Sequence, residues 1–166
     1  MDIVRPNGNE AELIKMAERL GMKSLALYYP DKKGAELQAR IFEHQKDTGV
    51  KLISAGSRDG QVVIDDYKRR NKKTNIVIGI SQPLKHAEYK ELAAAGVSVC
   101  FPFSEILQSG AGRTAMLENI MRSIRLCRKH KVKVVMATFA EDPYELRDGK
   151  DLKAFYKGLG VSKGQE

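Results

Sequence analysis

The chain has 166 residues, of which 42% are hydrophobic and 7% aromatic, a composition typical of a folded globular protein rather than a disordered one. This length suits a single domain with a sizeable core. No apolar run approaches the roughly 20 residues of a membrane span, and the N-terminus lacks the apolar stretch of a secretory signal. We therefore expect a cytoplasmic protein with no membrane partner.

The formal net charge of +8 is concentrated in the middle of the chain. Residues 61–133 carry 14 basic and 6 acidic side chains, whereas residues 1–60 carry 10 and 9, and residues 134–166 carry 5 and 6. A local excess of positive charge favours a polyanionic partner.

Short segments rich in β-branched residues alternate with segments of helical period, which predicts βα units and a parallel sheet. Six strands are predicted, at Asp2–Val4, Lys23–Tyr29, Val50–Ala55, Asn75–Ile80, Val97–Phe101 and Val132–Thr138. Helices are predicted to begin near Asn9, Gly34, Gly60, Leu84 and Arg113, with a further one over Lys150–Leu159. We expect one α/β domain over residues 1–166, with residues 161–166 as a frayed tail. This pattern leaves open either a doubly wound sheet or a (β/α) barrel that lacks some of its usual eight units.

The predicted helix from Thr114 to Lys131 has an apolar face and a basic face. Helical spacing brings Arg122, Arg125 and Lys129 together opposite the apolar residues, with Glu118 among them. Arg128 lies nearer the apolar side, and Lys131 follows at the end of the helix. A solvated face with a Glu118–Arg122 pair would produce the same pattern.

A second basic run favours RNA or DNA over that simpler interpretation. Its members are Lys68, Arg69, Arg70, Lys72 and Lys73, which are predicted to crowd the end of the third helix. Such a concentration of like charge is repulsive unless an anion neutralises it. The abundance of arginine suits bidentate phosphate contacts and stacking on unpaired bases. An acidic membrane fits less well, because the apolar face of the basic helix has no Trp or Phe.

The segment from Gln108 to Thr114 is predicted to be a small-residue loop at a helix N-terminus, with Ser109 and Arg113 able to contact a phosphate. It matches neither of the glycine-rich nucleotide motifs, so we expect an RNA-phosphate contact or an ordinary flexible loop rather than a nucleotide site.

Enzyme chemistry has little support in the sequence. The three histidines, His44, His86 and His130, lie on different predicted helices without metal-binding spacing. Cys100 and Cys127 are expected to be buried free thiols, and no nucleophile motif is present.

The C-terminal half resembles the archaeal and eukaryal ribonuclease P protein component three, the thirty-kilodalton subunit family. The matching pattern runs from a strand to Ile106-Leu107 and the loop with Arg113, then to the basic helix with Leu126-Cys127-Arg128-Lys129. It continues through the small-residue segment at Ala137–Ala140, through Glu145-Leu146-Arg147 and Asp151-Leu152, and ends on Leu159-Gly160. About 60 residues carry the resemblance well, and Asp2-Ile3-Val4 and Leu20-Gly21 match the start of the family more loosely.

This resemblance implies a TIM-like barrel of the polymerase-and-histidinol-phosphatase type, in a subunit that supports a catalytic RNA. The implied function is 5′-end maturation of precursor tRNA, with the ribonuclease P RNA and a small Pop-family protein as partners. No catalytic site or cofactor of its own is expected, and Mg²⁺ would enter only through the RNA. Arg113 and Arg147 are the arginines that match the family, although Arg147 could instead pair with Asp148 or Asp151.

The chain departs from the family by having about one βα unit fewer between Ile80 and Phe101 and no helix after Leu159-Gly160. We therefore expect an incomplete barrel of about six strands, with an exposed strand edge that a partner or a helix covers. Two other functions stay open: a metal-dependent phosphoesterase on a related barrel, and a flavodoxin-like domain that binds a small molecule through the Ser109–Thr114 loop.

Overall fold

The computed structural model describes residues 1–31, 34–57, 60–79, 84–162 and 164. Seven parallel strands follow one another in sequence order around a curled sheet: β1 (Asp2–Val4), β2 (Ser24–Tyr29), β3 (Lys51–Gly56), β4 (Val62–Asp66), β5 (Ile76–Ile78), β6 (Ser98–Cys100) and β7 (Val134–Val135). Six helices accompany them: α1 (Glu10–Arg19), α2 (Gly34–Gln45), α3 (His86–Ala94), α4 (Phe103–Gln108), α5 (Arg113–His130) and α6 (Gly149–Gly158). A TIM-like barrel with fewer than the usual eight strands is thus confirmed, with seven strands among the described residues rather than the six predicted.

The sheet is buried on both sides, as its continuous apolar strands predict. Alternate side chains point into the barrel, where Ala26, Ile64, Cys100 and Phe139 share one cluster. The outward-facing residues of β2 and β3 pack under α1 and α2, and those of β5, β6 and β7 pack under α3, α5 and α6. The helices are therefore fixed by the strand faces that they cover. Cys100 and Cys127 are both buried free thiols, as expected.

The helix predicted near Gly60 is wrong, because this segment forms the additional strand β4. Gly60 adopts a φ of +135°, and a side chain there would meet the backbone of Ser54 and Gly56 at 3.1 and 3.2 Å. The residue makes a tight turn that no helix could begin with. β4 pairs with the far end of β3, where Gly56 is opposite Val63.

The two ends of the sheet meet, so the exposed edge predicted from the incomplete barrel is not found here. The backbone N–H of Phe139 donates to the carbonyl of Ile3 at 2.7 Å, and that of Arg5 donates to Ala140 at 2.9 Å. The predicted strand Val132–Thr138 is thus divided: Val134–Val135 pairs with β6, and the following residues close on β1.

The ends of the other strands and helices differ from the predicted ends by a few residues. Part of one predicted strand and part of the predicted tail lie outside the described residues. β5 ends at Ile78, and the predicted strand end at Ile80 is not described. Val161 is buried in the core beneath α5 and α6, and its N–H donates to the carbonyl of Tyr156. The frayed tail predicted over residues 161–166 is therefore wrong at its first residue, and of the rest of it residues 163, 165 and 166 are not described.

Candidate nucleic-acid interface

α5 is the longest helix of the described structure, and its two faces are as distinct as the sequence predicts. Ile120, Ile124 and Cys127 are buried in the core that β5, β6 and β7 share with α3 and α6. The helix ends at His130, and the left-handed conformation of the next residue, Lys131 (φ +59°), turns the chain back towards β7. The apolar face thereby fixes which side of the helix points to solvent.

The basic side chains of α5 are exposed, and the described residues offer them no acidic partner. Arg122, Arg125 and Lys129 lie on the outer face as expected. Arg128, which was expected nearer the apolar side, is exposed as well. No ion pair forms between Glu118 and Arg122 among the side chains that the structure describes, so the simpler interpretation of a paired, solvated face loses its main contact. Lys131 is likewise exposed.

The second basic run lies in the connection between β4 and β5 rather than at a helix end. Arg69 contacts Asp66 with an N–O distance of 3.4 Å. Arg70 forms an ion pair with Glu91 of α3 and places its guanidinium 4.7 Å from the ring centre of Tyr67. These surface pairs neutralise part of the run but stabilise it little, since such pairs contribute about 0–1 kcal/mol.

The three lysines of this run, Lys68, Lys72 and Lys73, are exposed. Lys68 and Lys72 form no ion pair with any described residue, and both line an open groove beside Ala95 and Val97. Because α3 contacts both this connection and α5, the two basic segments flank the same helix.

The segment before α5 is more ordered than the predicted loop. α4 occupies its start, and Gly110–Gly112 form a short 3-10 turn. The Arg113 guanidinium donates from Nε to the carbonyl of Ile106 at 3.1 Å and from Nη2 to that of Leu107 at 2.8 Å. The Ser109 hydroxyl also donates to Ile106, at 2.7 Å. Both side chains therefore satisfy carbonyls at the end of α4, which accounts for them without a phosphate.

Arg147 holds its own segment of the backbone in place. Its Nη1 donates to the carbonyls of Tyr144 and Leu146, both at 2.7 Å, and its guanidinium lies 5.7 Å from the ring centre of Phe103. The alternative ion pair with Asp148 or Asp151 is not formed within the described structure. Arg147 also lines a cleft of about 330 Å³ near the start of β1 and β2, beside Lys23.

A lysine stripe on α6 was missed in the sequence analysis. Lys150, Lys153 and Lys157 are all exposed and recur at positions i, i+3 and i+7, which places them on one helix face. α6 packs on the same core cluster as α5. The helical period of these lysines was visible in the sequence, but the balanced charge of the C-terminal segment concealed it.

Two histidines that appeared isolated in the sequence are neighbours in the structure. His86 Nδ1, at the start of α3, lies 3.0 Å from His130 Nε2, at the end of α5. Loss of hydration, followed by the charges of His86, Lys129 and Lys90, lowers the pKa of His130. The two histidines are 44 positions apart in the sequence, which leaves no local signal of this contact.

Elsewhere the described residues offer little for metal catalysis. They contain no group of three or more His, Cys, Asp or Glu side chains that could hold a metal ion. None of the described helices is both long and apolar enough to cross a membrane. The strands curl into a barrel instead of forming an open doubly wound sheet, so the flavodoxin-like alternative is not supported.

Comparison with known proteins identifies the family. The family model described as RNase P subunit p30 matches residues 74–165, which is more than half of the chain. Ribonuclease P protein component 3 of Archaeoglobus fulgidus is 27% identical over 148 residues, which cover 86% of this chain and 74% of that protein. The fold matches a chain in a cryo-EM structure of archaeal ribonuclease P with mature tRNA, with a TM-score of 0.80, 18% identity, and coverage of 95% of this chain and 82% of the other. The chain therefore belongs to the RNase P subunit p30 family.

Proposed function

We propose that this chain binds the ribonuclease P RNA and so supports 5′-end maturation of precursor tRNA. Family membership supports the assignment, and the observation that carries it is the exposed, unpaired basic face of α5. The proposed RNA contacts on this face are Arg122, Arg125 and Lys129, together with Arg128 and Lys131. These charges are held at one surface by the burial of the opposite side of the helix, so their mutual repulsion is relieved when phosphates approach.

The connection between β4 and β5 extends this interface. Lys68 and Lys72 are the unpaired members of its basic run, and the surface pairs of Arg69 and Arg70 are weak enough to exchange for phosphate contacts. A structural role comes first for three other predicted contacts, Arg113, Ser109 and Arg147. Their hydrogen bonds to backbone carbonyls position α4 and the segment before α6. The two arginines keep further N–H donors for RNA, whereas the Ser109 hydroxyl has donated its one proton and can only accept a hydrogen bond from RNA.

In this proposal the RNA performs the reaction. The chain needs no cofactor of its own for that step, and Mg²⁺ is held by the RNA. The matched cryo-EM structure is that of an assembly with tRNA, which supports partners made of RNA and further protein subunits. We propose a small Pop-family protein as the immediate protein partner, precursor tRNA as an indirect one, and the cytoplasm as the place of action.

Charge reversal on α5 tests the proposal directly. We expect the triple variant Arg122→Glu, Arg125→Glu, Lys129→Glu to bind ribonuclease P RNA more weakly, since three phosphate contacts and their counterion release are lost. The slope of log affinity against log salt concentration should become shallower by up to about 2–3. Filter binding or fluorescence anisotropy over a salt series measures both quantities.

The matched control reverses three exposed basic residues outside the interface: Lys15→Glu and Arg19→Glu on α1, with Lys51→Glu on β3. It changes the net charge equally, so an effect of total charge alone would lower binding to the same extent in both variants. Equal loss in the two variants, or no loss in the α5 variant, would contradict the proposed interface. Reconstituted cleavage of precursor tRNA, with and without this chain, tests the function itself.

A further inference from the structure

The histidine pair at the junction of α3 and α5 is a separate feature that the basic interface does not use. His86 Nδ1 and His130 Nε2 lie 3.0 Å apart, and the two rings meet edge to face with their centres 5.3 Å apart. We propose that these two nitrogens form a zinc site that bridges α3 and α5, with water in the remaining coordination positions.

The separation of the two nitrogens is close to what a shared metal requires. Two ligands at the usual Zn–N distance of about 2.0–2.1 Å in tetrahedral geometry are about 3.3 Å apart. A small increase in this separation, with a rotation of each ring by about 35° that turns both lone pairs towards a shared metal, converts the hydrogen-bonded pair into a chelate. In that conversion the proton between the two nitrogens passes to solvent, and the ring that held it takes up a proton on its other nitrogen. Both histidines then bind the metal as neutral imidazoles, with no net release of protons.

One of the two ligands is oriented before any metal arrives. The His130 ring stacks on Tyr89, with an angle of 7° between the planes and 6.3 Å between the ring centres. Tyr89 belongs to α3, is only 1% exposed and packs into the hydrophobic core. His130 therefore loses little freedom when it binds a metal, which lowers the entropic cost of chelation.

The residues around the two histidines determine the affinity of the site for a metal and the access of water to it. His86 is exposed, so water can reach the metal. His130 is the last residue of α5, where the helix dipole favours a cation. The positive charges of Lys90 and Lys129 disfavour a cation at the same place. Since no third protein ligand joins the pair among the described residues, we expect an exchangeable site that stabilises the packing of two helices and takes no part in a reaction.

Isothermal titration of the tag-free chain with ZnCl₂ tests the proposal, with MgCl₂ as a control ion that imidazole does not favour. We expect one zinc ion per chain and a rise in melting temperature with zinc, because the metal binds only the folded arrangement. Each of the variants His86→Ala and His130→Ala should lower zinc affinity by about tenfold or more. His44→Ala, on α2, is the matched control and should bind as the unaltered chain does.

Absence of saturable binding tighter than about 1 mM would overturn the proposal, and so would equal affinity in all three variants. Substitution of His130 could weaken packing on Tyr89, so a second measurement is made on the unaltered chain. Long-range ¹H–¹⁵N spectra should show zinc-dependent shifts at His86 Nδ1 and His130 Nε2, and none at His44. Zinc-dependent shifts confined to His44, or no shifts at all, would contradict the site whatever the variants do. The test contains no RNA, so its outcome is independent of the proposed function.

Discussion

Asp2 joins the first strand of the barrel to the segment after the last one. Its Oδ1 accepts hydrogen bonds from the N–H groups of Ile3 and Thr138, at 2.8 and 2.7 Å, and its Oδ2 accepts one from the Thr138 hydroxyl at 2.7 Å. Both Asp2 and Thr138 are buried. Burial raises the pKa of Asp2 more than these hydrogen bonds lower it. The same side chain therefore contributes specific contacts and an ionisation that folding disfavours.

Two substitutions separate these contributions. Asp2→Ala leaves the buried N–H of Thr138 without an acceptor and should lower the free energy of unfolding by about 1–3 kcal/mol. Asp2→Asn retains an acceptor oxygen, and its amide donates to the Thr138 hydroxyl as a protonated acid would. Because the folded pKa of Asp2 is raised, its stabilising contribution is greatest at low pH and declines as pH rises through the folded pKa.

The free energy of unfolding of the Asp2→Asn variant should therefore increase relative to that of the unaltered chain as pH rises from about 4 to about 7. Urea unfolding at each pH measures this difference. Stability of the unaltered chain that rises over the same interval relative to Asp2→Asn would show that the ionised form is the one folding favours.

Among the elements, α4 illustrates how an arginine can be needed for structure apart from any contact with RNA. This helix has only six residues, and its last carbonyls have few partners within the helix. Arg113 reaches back from the start of α5 to donate to two of them, which ties α4 and α5 together.

Substitution of Arg113 should consequently act on stability first. We expect Arg113→Ala to lower the free energy of unfolding by about 1–2 kcal/mol, because charged donors to two carbonyls are lost. Arg113→Lys keeps the charge but not the planar fork, so its stability should fall nearly as far while the salt dependence of RNA binding stays unchanged. Thermal unfolding measures the stability of both variants, and RNA binding over a salt series measures the salt dependence. An Arg113→Ala variant with full stability and a shallower salt slope would instead make Arg113 a direct phosphate contact.

The same elements show why the sequence predicted some features and not others. The amphipathic period of α5 is local, so its buried and exposed faces could be read from spacing alone. Val62, Val63 and Ile64 also form a local β signal, but the regular alternation of strands and helices favoured a helix there. The turn at Gly60 that makes β4 possible depends on contacts with β3, which spacing does not reveal. The approach of His86 to His130 is equally non-local, since it depends on how α3 packs against α5.

At the scale of the whole molecule, closure of the barrel changes the expected dependence on partners. The incomplete set of strands predicted an edge that a partner would cover, whereas the hydrogen bonds of Phe139 and Arg5 join the two ends of the sheet. Register at this junction depends on residues more than 130 positions apart, so no pattern in the sequence could establish it. The proposed protein partner would then recognise an already folded surface instead of completing the core.

The isolated chain should therefore unfold in one cooperative transition whose midpoint does not depend on protein concentration. Amide hydrogen exchange provides the sharper test, since it reports each hydrogen bond separately. The amides of Arg5 and Phe139 should exchange within about tenfold of those of Ala26 and Leu27 in β2, because opening the junction requires separating the first strand from the last. Amides at the junction that exchange about a thousandfold faster, with a melting temperature that rises with concentration or on addition of a partner, would instead indicate an open sheet edge.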